Sequence, residues 1–214
     1  MKKETAREIV RILSENFSDK PALEYKTPYE LLIAVMLSAQ CTDARVNLVT
    51  RELFKQYNTP ETMLTLSQEE LEKRIFSCGL YKTKAAHILS ASADIVNRFH
   101  GEVPREKKDL ETLAGVGVKT ANVVYSVAFG GDAIAVDTHV FRVSNRIGLA
   151  HADNVGKTEA QLMEILDKSV WRKMHHYLIY LGRQVCKAAH PACEICPIAS
   201  LCEKKIKNGK SSCL

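Results

Sequence analysis

Apolar residues recur along this chain at helical spacing, in short segments separated by polar turns. Within residues 4–17, Ile9, Val10, Leu13 and Phe17 fall on one face of an amphipathic helix, and charged residues cover the other faces. Hydroxyl residues suited to helix N-caps follow at Thr27, Thr42, Thr59 and Ser67. No segment shows a convincing alternation with the period of two that marks a half-buried strand. The pattern predicts an all-α fold.

The most apolar stretch is 31–37, which begins after Thr27-Pro28-Tyr29-Glu30, a combination typical of a helix start. It is too short to span a membrane and therefore predicts a buried helix. Polar residues follow directly, from Ser38 to Asp43. A plain helix end and a functional turn account for these polar residues equally well.

Further helices are predicted over 84–99, 138–147, 155–166 and 171–185. Before the first of them, Cys78-Gly79-Leu80-Tyr81 interrupts the helical pattern. We expect Gly79 to end the preceding helix and to leave Leu80 on a tight turn. His175 and His176 lie on the last helix, where neighbouring residues point to different faces and make poor joint ligands. Packing or capping is their expected role.

The composition of the 214 residues, 46% of them hydrophobic, allows one large or two small globular domains. A net charge of +5 and an isoelectric point near 8.8 are compatible with a nucleic-acid partner but do not require one. The charged N-terminus has no hydrophobic leader segment, and no stretch approaches the ~20 apolar residues of a membrane helix. We therefore expect a cytoplasmic protein with reduced thiols and no membrane partner.

Residues 113–120 carry the clearest candidate site. Gly115 and Gly117 bracket Val116 between two helical patterns, so we expect this turn to take positive φ and to bring its backbone close to another molecule. Unpaired amides at the start of the second helix would bind a phosphate. Lys119 falls on the first turn of that helix, where the dipole disfavours the charged amine and favours a nucleophile.

Asp137 is the natural partner of this lysine in the sequence, eighteen residues further on. It precedes Thr138 and a helical pattern, so we expect it to be an N-cap whose carboxylate faces a cavity. An amine and a carboxylate would then serve one site. Taken singly, each of these features is better explained without a function: the glycines as a plain turn, the lysine as a solvated charge and the aspartate as a cap.

Four of the seven cysteines lie within seventeen residues, spaced C-x6-C-x2-C-x5-C. Such a concentration of thiols indicates a metal site, and the spacing leaves both zinc and a [4Fe–4S] cluster open. A disulfide framework is a poor alternative because the number of cysteines is odd and no secretory leader is expected. The four candidate ligands are Cys186, Cys193, Cys196 and Cys202.

The segment from Leu113 to Thr120, the segment from Ala135 to His139 and the four-cysteine run together resemble the endonuclease III family of DNA base-excision glycosylases. The resemblance covers almost the whole chain. It implies a two-lobed helix-hairpin-helix fold with a DNA groove between the lobes. Residues 21–131 would form a six-helix domain with the hairpin motif at about 107–130. Residues 1–20 and 132–214 would form an iron–sulfur cluster domain.

The resemblance also implies a role for each candidate residue. Lys119 and Asp137 would be catalytic. Implied DNA contacts come from Gly115, Val116, Gly117, Thr120, Gln40 and Leu80, with Leu80 as a wedge and Gln40 filling the gap that a flipped base leaves. The implied base pocket includes Ser38, Asp43 and His139. The four cysteines would hold a [4Fe–4S] cluster, and the partner would be duplex DNA with damaged bases or abasic sites, bound by a monomer.

The implied activity is removal of oxidised pyrimidines and cleavage of the abasic strand by β-elimination, in the nucleoid of a bacterium or archaeon. Two departures from the family pattern occur: Ala114 replaces a frequent proline, and Val118 replaces a frequent arginine, which removes one possible phosphate contact. A monofunctional mismatch glycosylase and a non-catalytic DNA-binding or redox-sensing module remain as alternatives. The basic tail after Cys202 is expected to be disordered.

Overall fold

The computed structural model describes residues 1–131 and 133–205, and no strand occurs in that part of the chain. Its α-helices are α1 (Lys3–Asn16), α2 (Pro28–Ser38), α3 (Asp43–Leu53), α4 (Pro60–Met63), α5 (Gln68–Ile75), α6 (Tyr81–Phe99), α7 (Lys107–Leu110), α8 (Val118–Phe129), α9 (Thr138–Ile147), α10 (Val155–Ile165) and α11 (Trp171–Gln184). Two 3-10 turns lie at Lys168–Val170 and Cys193–Ile195. The prediction of an all-α fold is confirmed. The end of the basic tail, beyond 205, lies outside the described residues.

The described residues form two compact units, each with its own apolar core. The central unit consists of residues 21–131 and contains α2 to α8. The terminal unit combines residues 1–20 with 133–205, so that α1 shares a core with α9, α10 and α11. No described helix is long and apolar enough to cross a membrane.

Helix α2 forms the centre of the central unit, and all but two of its residues are buried or nearly so. Its start follows from local chemistry: the Thr27 hydroxyl accepts a hydrogen bond from the Glu30 amide at 3.1 Å, and Pro28 lacks the amide that would be left unpaired. This apolar helix packs against α3, α6 and α8. The polar residues after Leu37 therefore emerge at the edge of the core.

The turn before α6 matches the prediction in part: Leu80 lies on it, but α5 already ends at Ile75, so Gly79 does not end that helix. Gly79 does not adopt a positive φ, whereas Leu80 does, at 59°. A leucine in the left-handed region is strained, because its Cβ crowds the backbone. The burial of Cys78 just before it and the start of α6 at Tyr81 hold this conformation in place. The side chain of Leu80 is left 58% exposed.

The terminal unit is built on the pairing of α9 with α11. Gly182 permits the close approach, since a Cβ at this position would lie 3.0 Å from Val143. His175 and His176 are buried on α11 with their rings 4.9 Å apart, and burial lowers the pKa of His176 to about 3. The Nδ1 atom of His175 lies 2.6 Å from the Ala135 carbonyl oxygen. Packing is thus their structural role, as predicted, although the two rings contact each other.

Candidate functional site

The hairpin between α7 and α8 contains one glycine with positive φ, not two. Gly115 has φ +74°, and a Cβ there would lie 2.7 Å from the His87 ring. Gly117 has φ −85° and ψ 175°, an extended conformation open to any residue, and a Cβ there would meet nothing within 4 Å. The expectation of positive φ is therefore right for Gly115 and wrong for Gly117. Between them, Val116 is buried and anchors the turn to the core.

Gly117 is the N-cap of α8 and supplies no side chain to its first amides. Those amides are therefore available to an external acceptor such as a phosphate. Lys119 is the second residue of α8 and its side chain is exposed, while Thr120 is half-buried. The amine of Lys119 thus extends from the first turn of α8, where no side chain caps the amides, which is the position that the sequence predicted for it.

Asp137 is the N-cap of α9, as predicted. One carboxylate oxygen, Oδ1, accepts a hydrogen bond from the Val140 amide at 2.7 Å. The other oxygen takes no part in this cap. The four residues before Asp137 are buried, and the carbonyl of Ala135 among them is bonded to His175. The carboxylate is therefore held at a fixed place by its own helix and by α11, and it remains half-exposed.

His139 follows two residues later on α9, and its Nδ1 atom lies 3.2 Å from the Arg142 guanidinium. Arg142 also donates to the carbonyl oxygens of Gly182 and Cys186, at 2.9 and 3.1 Å. Sequence patterns did not reveal this role of Arg142, since its partners lie some forty residues away. The helix that carries Asp137 is thus fastened to the start of the cysteine segment.

Two turns of the central unit carry the remaining candidates. Gln40, just after α2, has φ 54°, and Leu80, just before α6, has φ 59°. The two turns are adjacent, since a Cβ on Gly79 would lie 3.5 Å from the Gln40 carbonyl oxygen. Ser38 ends α2, with its hydroxyl donating to the Val35 carbonyl, and Asp43 begins α3. Left-handed backbone at two exposed residues side by side is typical of a functional surface.

All four clustered cysteines line one cavity, whose other walls are mainly apolar. None of them forms a disulfide. Two donors point at the sulfurs: Arg146 lies 3.7 Å from Cys186 Sγ, and the Lys204 amide lies 3.2 Å from Cys202 Sγ. Arg146 also binds the carbonyls of the loop at 187–188, one turn along α9 from Arg142. The segment therefore presents sulfurs and hydrogen-bond donors to a common space.

Comparison with known proteins assigns the chain to a family. Residues 33–168 match the model of the HhH-GPD superfamily base excision DNA repair protein. Endonuclease III of Bacillus subtilis (strain 168) is 51% identical over 189 residues, which cover 88% of this chain and 86% of the relative. The chain belongs to the endonuclease III family. Endonuclease III of Escherichia coli (strain K12) is 44% identical over 199 residues, covering 93% and 94% of the two chains.

Solved structures of endonuclease III share the fold. A trapped endonuclease III–DNA covalent intermediate in an estranged-adenine complex superimposes with a TM-score of 0.89 at 47% identity, over 95% of this chain and 97% of that chain. A thermostable thymine-DNA glycosylase matches with a TM-score of 0.84 at 25% identity, over 94% and 96%. Four predictions are confirmed: membership of the endonuclease III family, the fold of that family, DNA glycosylase and lyase activity, and a duplex DNA partner.

Proposed function

We propose that this member of the endonuclease III family removes oxidised pyrimidines from duplex DNA and then cleaves the abasic strand by β-elimination, with Lys119 as the nucleophile. One observation carries the proposal: the exposed amine of Lys119 lies on the first turn of α8, beside amides that no side chain caps. A phosphate bound there would bring the sugar to the amine. The trapped covalent complex of a 47% identical endonuclease III supports a covalent route.

In the proposed reaction, Lys119 Nζ attacks C1′ of the damaged nucleotide, and the base leaves with its bonding electrons and takes up a proton. The amine then loses a proton, the C1′–O4′ bond of the sugar ring breaks, and O4′ is protonated, which gives the Schiff base. The Schiff base acidifies the neighbouring C2′ proton, and removal of that proton expels the 3′ phosphate. Asp137 stabilises the positive charge that develops on the sugar and assists the proton transfers. Its free carboxylate oxygen suits this role, because the other oxygen is held by the Val140 amide. Ser38, Asp43 and His139 would contact the extruded base.

Sodium borohydride trapping tests this proposal directly. With a duplex that contains one oxidised pyrimidine, we expect a stable protein–DNA adduct and release of the intact base at matched rates. A monofunctional glycosylase would release the base without an adduct, and a non-catalytic binding module would give neither product. The three functions are thus separated in one experiment.

Base extrusion is assigned to Leu80 and Gln40, because a base within the duplex cannot be attacked at C1′ until it leaves the stack. Leu80→Ala should slow excision of a well-paired lesion more than cleavage at an abasic site, since only the lesion still requires an extrusion that costs a few kcal/mol. Single-turnover rates on the two substrates measure this difference. Leu48→Ala is the matched control, since Leu48 is also exposed, at 54%, and lies in the same unit. An equal loss on both substrates would indicate a folding defect.

The hairpin glycines provide a second pair of variants. Gly117→Val has room for its side chain and should fold normally, yet the side chain would obstruct a phosphate. We expect roughly tenfold weaker binding to damaged and undamaged duplex alike, since one hydrogen bond to a charged group contributes about 1.5–3 kcal/mol.

Gly115→Val should instead lower the free energy of unfolding by at least roughly 1–2 kcal/mol, because valine would have to adopt a left-handed φ there. Anisotropy and thermal melts distinguish the two. A loss confined to damaged duplex would make the hairpin a lesion reader.

The four cysteines are proposed to hold a [4Fe–4S] cluster, which the endonuclease III family is known to carry. Zinc requires four sulfurs about 2.3 Å from one point, whereas each thiolate of a cluster binds its own iron. All four thiols line one cavity, and the Arg146 and Lys204 donors there would stabilise the thiolates that hold the cluster. Its role is structural, since four cysteines leave no position open for substrate.

Protein purified without oxygen should consequently be brown and contain about four irons per chain. Iron and zinc analysis of the same preparation measures this. A colourless protein with one zinc per chain would refute the assignment.

We further propose that the central unit is the six-helix DNA-binding domain, that the terminal unit is the cluster domain, and that the enzyme acts in the bacterial cytoplasm.

A further inference from the structure

Two thiols lie together outside the four-cysteine segment. Cys41 is half-buried at the end of α2, and Cys78 is fully buried before α6; neither is in a disulfide. The turns that carry them approach each other, since a Cβ on Gly79 would lie 3.5 Å from the Gln40 carbonyl oxygen, and Cys41 packs against the core cluster that contains Cys78. The two cysteines come from turns that the chain separates by more than thirty residues, so their contact is a product of the fold.

A buried lysine stands beside this pair. Lys84 Nζ donates to the Leu37 carbonyl at 2.8 Å, at the end of α2, and its charge also acts on both sulfurs. Burial lowers the pKa of Lys84, while burial and the hydrogen bond to Cys41 raise the pKa of Cys78 to about 11. Cys41 is the more accessible thiol of the pair, and exposure favours it as the first to react with peroxide. Cys78 keeps its proton and is suited to react second.

The pair of cysteines lies beside the two residues to which base extrusion is assigned. Cys41 directly follows Gln40, and Cys78 stands two residues before Leu80. Both of these neighbours are left-handed and exposed, and the two turns approach within 3.5 Å at Gly79. A bond between the sulfurs would join the two turns covalently, at the base of the residues assigned to base extrusion.

We propose that Cys41 and Cys78 form a peroxide-responsive dithiol, whose disulfide ties the Gln40 turn to the Leu80 turn and slows the extrusion of paired bases. The formation of the disulfide is independent of the enzyme's activity, whereas the slowing rests on the function proposed above for Gln40 and Leu80. Disulfides in reducing compartments are typically transient and regulatory, in keeping with such a role.

The chemistry needs hydrogen peroxide as the oxidant and nothing else. The Cys41 thiolate attacks one peroxide oxygen, the O–O bond breaks, and the released hydroxide takes up the proton of the thiol as water. Cys41 is then a sulfenic acid. The Cys78 sulfur attacks the Cys41 sulfur and loses its proton, the S–O bond breaks, and a second water leaves. Two thiols lose two electrons and two protons, and one peroxide becomes two waters.

Peptide mapping of the full-length holoenzyme tests the modification without DNA. Cys213, which lies outside the described residues, is replaced by serine in every sample so that it cannot pair with either thiol. After brief exposure to peroxide and alkylation, we expect a cross-linked peptide pair joining Cys41 and Cys78, lighter than the two reduced peptides by two hydrogens. Reductant should reverse it. Oxidation of Cys41 to a sulfinic acid, with Cys78 still alkylated, would overturn the proposal.

The functional arm compares oxidised and reduced enzyme on a paired lesion and on an abasic site. We expect the disulfide to slow excision of the paired lesion by roughly tenfold or more and to leave abasic cleavage nearly unchanged. Cys41→Ser and Cys78→Ala each remove the pair and should show no such difference; Cys41→Ser remains informative if the buried substitution at Cys78 unfolds the protein. Iron content after peroxide excludes loss of the cluster as the cause.

The outcomes separate this proposal from the proposed function. A disulfide that forms but leaves excision of the paired lesion as fast as before would overturn control by the dithiol. A reduced enzyme that shows no excision at all would instead refute the proposed function, while the mapping result would still decide whether the pair forms.

Discussion

Lys119→Gln is expected to abolish release of an oxidised pyrimidine, cleavage of the strand and formation of the borohydride adduct, with duplex affinity nearly unchanged. The glutamine side chain is polar and only one atom shorter, but its nitrogen lone pair is delocalised into the carbonyl and does not attack C1′. The exposed position of Lys119 means that the substitution should not disturb the fold. Base release under single-turnover conditions, adduct yield and binding to undamaged duplex measure the three expectations.

Lys108→Gln is the matched control, because it removes the same charge from the exposed surface of α7, the first helix of the hairpin. It should retain both base release and the adduct. Cleavage at abasic sites alone is not decisive, since stray amines can catalyse it. Undiminished base release by Lys119→Gln would mean that water is the nucleophile, and would favour the monofunctional glycosylase.

Substitutions at Asp137 should separate its two roles. Asparagine is as good an N-cap as aspartate, so Asp137→Asn should leave the thermal stability unchanged while slowing base release by about 10²–10⁴-fold, the typical contribution of a positioned proton-transfer group. Asp137→Ala should show the same kinetic loss and also destabilise the protein by about 1 kcal/mol, since the Val140 amide loses its acceptor. Thermal melts and single-turnover rates measure the two effects separately.

The abasic site provides an internal check on this assignment. Because the base has already left, Asp137→Asn should still give a trappable intermediate there. If the asparagine variant released bases at the wild-type rate, Asp137 would be a helix cap and nothing more.

Helix starts were predictable from the sequence because their causes are local. Thr27, Thr59 and Ser67 each cap a helix with the amide three residues on, and α9 extends over the predicted residues. The left-handed residue of the Leu80 turn was not predictable, because Gly79 beside it has the lower intrinsic cost. Burial of Cys78 and packing of α6 override that preference, and neither is visible in local sequence.

In the candidate site, too, local features could be predicted from the sequence and long-range contacts could not. Lys119 and Asp137 could be placed at helix starts from glycine and capping patterns alone. The bonds of Arg142 and Arg146 to the cysteine segment join residues some forty positions apart, so no pattern within one helix predicts them. The contact between Cys41 and Cys78 is of the same long-range kind. Sequence thus indicated the candidate groups for the chemistry, and packing determines which residues hold them in place.

The terminal unit also sets an order of events during protein synthesis. Helix α1 is synthesised before the central unit, whereas its partner α11 is synthesised after it. Translation of residues 21–131 takes on the order of ten seconds at ~5–20 residues per second, and the central unit can complete its own core in that time. Ile9 and Leu13 meanwhile remain in water with no apolar partner. A nascent chain interrupted before α11 would therefore carry a folded central unit and an α1 helix whose apolar face is exposed to water. Such an exposed apolar face is what a chaperone binds.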